Sequence, residues 1–237
     1  MATKAPKKIN PIKVDAMQTK LAKMINARSN FVENVDNEHV FISTGNRKTG
    51  FAVPSVSLIP VADCRNCSTC SRLCYDLRND MYPGTMQTRA KNSAIARTQI
   101  DKFFFEISLA CGAFKFFRWH VGGDILNGEY FEGMVKVALQ NPGTTFLAFT
   151  KCYDIVNDYV AAGYEIPSNF QIIFSDWPGA NMCNPFDFPT SSPVFADGTT
   201  AAKPNAIECG GNCSECAIMG AGCWTLKKGE GVKFNAH

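Results

Sequence analysis

The cysteines carry the chemistry of this sequence, and most of them stand in two short groups. Cys64, Cys67, Cys70 and Cys74 form a C-x2-C-x2-C-x3-C run. Four thiolates this close along the chain can surround one small volume, and bacterial ferredoxins use this spacing for [4Fe–4S] ligation, normally with three ligands to one cluster and the fourth to another. Zinc is the alternative, because tetrahedral four-cysteine sites are also built from C-x2-C pairs. Tyr75 stands where the iron–sulfur run usually has Pro. Cys209, Cys213, Cys216 and Cys223 form a second group, C-x3-C-x2-C-x6-C, in the glycine-rich stretch CGGNCSECAIMGAGCW. A glycine-rich backbone can wrap a cluster and turn its amides toward the sulfurs. The eight thiols build either two four-ligand centres or one shared arrangement. Cys111, Cys152 and Cys183 stand alone and read as small buried residues.

A scaffold must hold these groups, and the hydrophobic pattern outlines it. Val14, Met17, Leu21, Met24 and Ile25 recur at helical spacing, which predicts a helix over 14–27. Segments 39–44 and 51–59 read as strands, with Gly45 and Gly50 bracketing a hairpin and Pro54 weakening the second. From about 86 to 111 there is no Gly or Pro, so one long helix is expected. Strands at 114–121, 144–149 and 170–175 then alternate with helices at 129–140 and 153–162. Such alternation indicates βαβ crossovers and a parallel sheet. The expected fold is therefore α/β, a parallel-sheet, partial (β/α) barrel-like core with cysteine-rich metal-binding loops. Residues 176–207 read as a long irregular connection pinned by the second cysteine group.

Parallel α/β sheets bind ligands at the carboxyl ends of their strands. Those ends are polar here: Arg118, His120, Gly122, Gly123 and Asp124 at one strand, Thr150 and Lys151 at the next, Ser175, Asp176 and Trp177 at the third. The two glycines let the backbone approach a ligand, and the carboxylate can accept hydrogen bonds from an ammonium group. A tight βα turn with an N-capping Asp124 explains the same three residues. His120 reads either as a satisfied core histidine or, so near the strand end, as an acid, base or cluster neighbour.

With 237 residues, 46% hydrophobic and 19% charged, the chain has enough apolar material for one domain. The net charge of +3 is unevenly placed, since Lys4, Lys7, Lys8, Lys13, Lys20, Lys23 and Arg28 face only Asp15 in the first 30 residues. The expected organisation is a flexible basic N-terminal arm, 1–13, followed by a single α/β iron–sulfur domain, 14–237. The remaining chain is slightly acidic, which argues against nucleic-acid contact except through the arm. No apolar run reaches the roughly 18 residues that span a bilayer, and the first residues lack the pattern of a signal peptide. A cytoplasmic location follows, where thiols stay reduced.

From Phe117 to Asp124 the sequence FRWHVGGD resembles a phage family, gene product 88. Its members carry an early cysteine-rich loop ending Cys-Tyr, a strand ending Arg-x-His-x-x-Gly-Asp and a later aromatic strand ending Thr-Lys. Cys64 to Tyr75, then Arg118, His120, Gly123 and Asp124, then Phe149, Thr150 and Lys151 match these features. The resemblance covers about residues 50–155, plus the C-terminal cysteines, and implies the host cytoplasm as the setting. A more distant resemblance is to radical S-adenosylmethionine (SAM) enzymes, whose partial barrel places a cluster after the first strand. A Gly-Gly-acid motif after their second strand holds the SAM amino group, and Gly122-Gly123-Asp124 is similar to it, with Asp for Glu. Cys67, Cys70 and Cys74 would take the cluster role with the spacing reversed, x2 then x3, while the C-terminal triplet Cys209, Cys213 and Cys216 has the usual spacing.

Three expectations follow. The first is a phage-type iron–sulfur protein that holds one or two [4Fe–4S] clusters for electron transfer or structure and meets a redox partner. The second is a radical-SAM-like enzyme, in which Gly122, Gly123 and Asp124 bind SAM and His120, Asp124 and Lys151 are catalytic. The third is a zinc module whose basic arm contacts nucleic acid.

Overall fold

Residues 14–45, 49–67, 70–79 and 82–236 are described by a computed structural model. Among them seven strands pair into one sheet: β1 (Ser55–Val56), β2 (Phe116–Trp119), β3 (Thr145–Thr150), β4 (Phe170–Ser175), β5 (Thr190–Val194), β6 (Ile207–Glu208) and β7 (Gly231–Asn235). Their spatial order is β1-β2-β3-β4-β5-β7-β6 and every pairing is parallel. The sheet is open, so the α/β partial-barrel expectation holds.

Strand alternation sends side chains to two unlike faces. Phe117, Trp119, Phe146, Ala148, Phe170, Ile172 and Phe174 enter the main core. That core is covered by α4 (Ile100–Cys111), α5 (Gly128–Gln140) and α6 (Tyr153–Ala161). On α4 the buried residues Phe103, Phe104, Ile107 and Cys111 form one stripe, while Phe105 and Leu109 stay exposed. Gly133 lets α5 lie against the Phe104 ring, for a Cβ there would come within 2.2 Å of it. Asn127 starts α5 by accepting a 2.8 Å bond from the Tyr130 amide, a cap worth about 1 kcal/mol.

The opposite face presents Phe116, Leu147, Phe149 and Ile173 to the C-terminal segment, where Ala217, Trp224, Leu226 and Val232 complete a second cluster. Cys216 and Cys223 pack against it. A third cluster, Met24, Ile59, Leu77 and Ala90, joins α1 (Val14–Val32) and α3 (Pro83–Thr98) to the start of the cysteine loop.

Several local expectations change. Segment 39–44 is no strand: only Ser43 pairs, antiparallel to Ser55. The backbone of Phe41 instead bonds the Asn92 side chain, and the Val40 amide bonds Glu106. Side chains satisfy the groups that a hairpin partner would have taken. The expected helix over 86–111 breaks at Gln99 (φ −139, ψ 62), which separates α3 from α4. The 176–207 connection contains β5, whose Pro193 and serines gave no strand signal. The basic arm, 1–13, and the tip of the expected hairpin, 46–48, lie outside the described residues. No helix among the described residues is long and apolar enough to cross a membrane.

Candidate functional site

The first cysteine group begins directly after a buried anchor, Asp63. Its carboxylate accepts bonds from the Ile59 amide (2.8 Å) and from the Arg97 Nε and Nη2 (2.9 and 2.7 Å), with Arg28 Nη1 at 3.3 Å. Its carbonyl accepts the Asp124 amide at 2.9 Å. One residue thus ties the loop to α1, α3 and the end of β2. Farther along, Asn66 Nδ2 donates to the Lys151 carbonyl at 2.7 Å, and Arg65 pairs with Asp154 at 3.2 Å. The loop closes through α2 (Tyr75–Asn79), where the Tyr75 hydroxyl donates to the Val121 carbonyl at 2.9 Å. The cysteine loop therefore sits over the carboxyl ends of β1, β2 and β3, as a parallel sheet requires of a ligand loop.

Within that loop the thiols gather. Cys67 Sγ lies 3.9 Å from Cys70 Sγ, and Cys64 is near enough to raise the Cys67 pKa as well. Two thiolates on one tetrahedral zinc would stand about 3.8 Å apart, given Zn–S lengths of about 2.3 Å. Cys67 donating to Cys70, with the Lys151 ammonium beside it, brings the Cys70 thiol down to about 6 against the cost of burial. The same contacts hold the Cys67 thiol protonated. Burial pushes Cys74 up to about 12, although the Leu77 amide points at its sulfur from 3.4 Å. Lys151 Nζ donates to Ser175 Oγ at 3.1 Å and stands 5.2 Å from the Trp177 ring centroid. The ends of β3 and β4 thus contribute a cation beside the thiols.

The Gly-Gly-Asp turn is used within the chain. Asp124 Oδ1 accepts the Ile125 amide (2.8 Å) and the Thr150 hydroxyl (2.6 Å), and Oδ2 accepts the Lys151 amide (2.9 Å). Burial raises the Asp124 pKa against these contacts. Asp124 does not cap α5, because Asn127 does. A Cβ on Gly122 would stand 1.8 Å from Asp76 Oδ2, and the Asp76–Arg89 pair (2.6 Å) occupies that space. Gly123 takes φ +82, and a Cβ there would stand 2.6 Å from Leu58 Cβ. Both glycines allow close approach, but to the protein's own loop. His120 turns toward the helices, with Nε2 2.9 Å from the Tyr130 hydroxyl and Nδ1 buried without a partner. Burial, helped by Arg118, lowers its pKa to about 3, so it is a neutral core histidine at neutral pH.

The second cysteine group folds around a short helix, α7 (Cys213–Met219). Gly220 ends it in the left-handed region (φ 60), and the Ala221 amide returns to the Cys216 carbonyl at 2.9 Å. Gly222, also left-handed (φ 62), would place a Cβ 3.0 Å from Cys216 Sγ, so its bare backbone leaves room for that thiol. The Trp224 indole donates to the Cys213 carbonyl at 3.1 Å, and Cys209, which follows β6, donates its amide to the Lys233 carbonyl at 2.8 Å. Burial, and then Cys209, Cys213 and Cys216, push the Cys223 thiol up to about 12. The thiols that act most on one another belong to the same group.

The structure thus brings Cys64, Cys67, Cys70, Cys74 and Lys151 together at the strand ends, and Cys209, Cys213, Cys216 and Cys223 on the sheet face behind them. His120 joins neither group. Cys111 and Cys152 are buried as expected, whereas Cys183 is exposed. Among the described residues no group of three or more His, Cys, Asp or Glu side chains is arranged to hold a metal ion. The donor chemistry nonetheless fits thiolate ligation, with four soft sulfurs in each group and a cation against one of them. A second cation, Arg118, lies with Nη1 3.4 Å from Cys213 Sγ; sequence reasoning placed it only among the polar strand ends and gave no role to Asp63 or Asp76. Arg118 had a signal: it is a charged residue in the middle of the aromatic run FKFFRWHV.

A family model described as gene product 88 matches residues 17–182. No curated protein and no solved structure matches the chain.

Proposed function

The chain belongs to the gene product 88 family, and from that premise we propose that it is an iron–sulfur protein, holding [4Fe–4S] clusters through its two cysteine groups. The observation that carries this reading is the gathering of eight thiols into two separate sets, each beside a cation, Lys151 or Arg118. Cys64, Cys67, Cys70 and Cys74 would hold one cluster at the strand ends, and Cys209, Cys213, Cys216 and Cys223 the other. The C-x2-C-x2-C-x3-C spacing of the first set favours iron–sulfur over zinc.

A bound cluster supplies one-electron chemistry, and the chain's own groups set its conditions. The Leu77 amide points at Cys74, and Lys151 places positive charge near Cys70, contacts that favour the thiolate forms. With four cysteines in each set, electron transfer to a redox partner, or stabilisation of the fold, is the role that needs no further ligand. SAM chemistry would require Asp124 to receive an ammonium group, and that carboxylate is already engaged by three donors of the chain.

Anaerobic purification followed by iron, sulfide and zinc analysis and a visible spectrum tests the proposal. About four or eight irons per chain, with matching sulfide, is the expected result for one or two clusters. Colourless protein with stoichiometric zinc would replace it with the zinc reading. Added SAM, followed by assay for 5′-deoxyadenosine, separates carrier from enzyme.

A further inference from the structure

We propose that Arg118 is the fixed counter-charge of the C-terminal cysteine centre and makes that centre electrostatically unlike the one at the strand ends. The proposal rests on the reading that these thiols hold metal. Arg118 projects from β2 on the face away from the main core and is 6% exposed. Its Nη1 donates to Cys213 Sγ at 3.4 Å, and its guanidinium carbon stands 4.9 Å from the Phe149 ring centroid. Cys223 and the Tyr75 hydroxyl also lie within its electrostatic reach. Its Nε is buried with no hydrogen-bond partner.

A guanidinium stays charged at any pH the protein meets. Burying it costs several kcal/mol unless a negative group answers it. Among the described residues no carboxylate pairs with Arg118, and the ionisable groups acting on it are the thiols of Cys213 and Cys223 and the Tyr75 phenol. A divalent ion or a dipositive cluster bound by four thiolates keeps a net negative charge, which is what this pocket lacks in the protein chain alone.

The strand-end centre differs. Its cation, Lys151, is half-buried and divided among Cys70, Ser175 and the Trp177 ring. Solvent screens an ammonium in that position far more than it screens Arg118. The C-terminal centre should therefore hold its metal more tightly and, where the metal is iron–sulfur, be the more easily reduced.

The test uses the full chain, metal-loaded and metal-free, as wild type, Arg118→Met and Arg118→Lys. Metal release to excess chelator is followed with time, and Cys216→Ser identifies the phase that belongs to the C-terminal centre. Arg118→Met is expected to accelerate that phase by on the order of tenfold, the lower range for losing an outer partner of a metal site. The other phase stays unchanged, and Arg118→Lys restores most of the retention. Metal-free Arg118→Met should melt no lower than metal-free wild type, because an apolar side chain replaces an unanswered buried cation. A purely structural arginine would behave oppositely, weakening both forms alike with no rescue by lysine.

Unchanged release from Arg118→Met, or equal destabilisation of both forms, overturns the proposal. Arg118→Gln repeats the comparison with a second uncharged side chain, and failure of both uncharged variants to fold without metal also overturns it. Wild-type protein that binds no iron or zinc overturns the metal-binding reading itself, a result distinct from metal that is held but indifferent to Arg118.

Discussion

The Asp124 carboxylate accepts the Lys151 backbone amide at 2.9 Å, so the turn after β2 is latched onto the end of β3. With the Thr150 hydroxyl and the Ile125 amide on its other oxygen, this side chain sets the floor beneath the first cysteine group.

Asp124→Ala would leave two amides and a hydroxyl without their acceptor. At about 1–3 kcal/mol for each buried group left unsatisfied, a loss of about 3 kcal/mol or more is expected in urea denaturation. A loss under about 1 kcal/mol would show that the latch is not structural.

The glycines before it give an internal comparison. Gly122→Ala drives a methyl into the Asp76 carboxylate and should cost about 1–3 kcal/mol, the usual range for overpacking. Gly84, in the first turn of α3, has nothing within 4 Å of a built Cβ, so Gly84→Ala should be neutral or stabilising. Equal melting temperatures for the two variants would contradict the close approach at Gly122.

Cys70→Ser removes the thiol that Cys67 and Lys151 favour as a thiolate. It should lower metal content and reduce the melting temperature, since metal binding and folding are coupled. Cys183→Ser, at an exposed site outside both groups, should change neither. Metal analysis and a thermal melt decide it, and a full metal complement in the Cys70 variant would remove this residue from the ligand set.

His120 predicts a pH dependence. Its folded pKa, about 3, lies below the roughly 6.5 of an unfolded chain. Between those values the unfolded state binds a proton that the folded state does not, so stability is full above about pH 6.5 and falls as pH drops. From pH 7 to 5 the loss owed to this residue is about 2 kcal/mol. Urea denaturation at both pH values should show a drop smaller by that amount in His120→Gln. Equal drops in the two proteins would mean that His120 is not held neutral.

Much of this protein is legible one segment at a time. The cysteine spacings, the alternation of β2 to β4 with α5 and α6, and the polar strand ends all follow from period and punctuation within a few residues, and the parallel sheet follows from them. Where a distant side chain supplied the partner, the local reading misled. Asn92 and Glu106 took the backbone bonds of 39–44, and β5 became a strand because β4 and β7 flank it. Which residues have ligand chemistry, and roughly where along the sheet, can be read from the order of residues. That His120 faces Tyr130, that Gly122 and Gly123 admit Asp76 and Leu58, and that Arg118 lies under Cys213, 95 residues away in the chain, depends on the folded arrangement. The physical reason is that spacing and periodicity are properties of neighbours, whereas the face a side chain turns to and the charge that answers it are fixed by burial against residues remote in sequence.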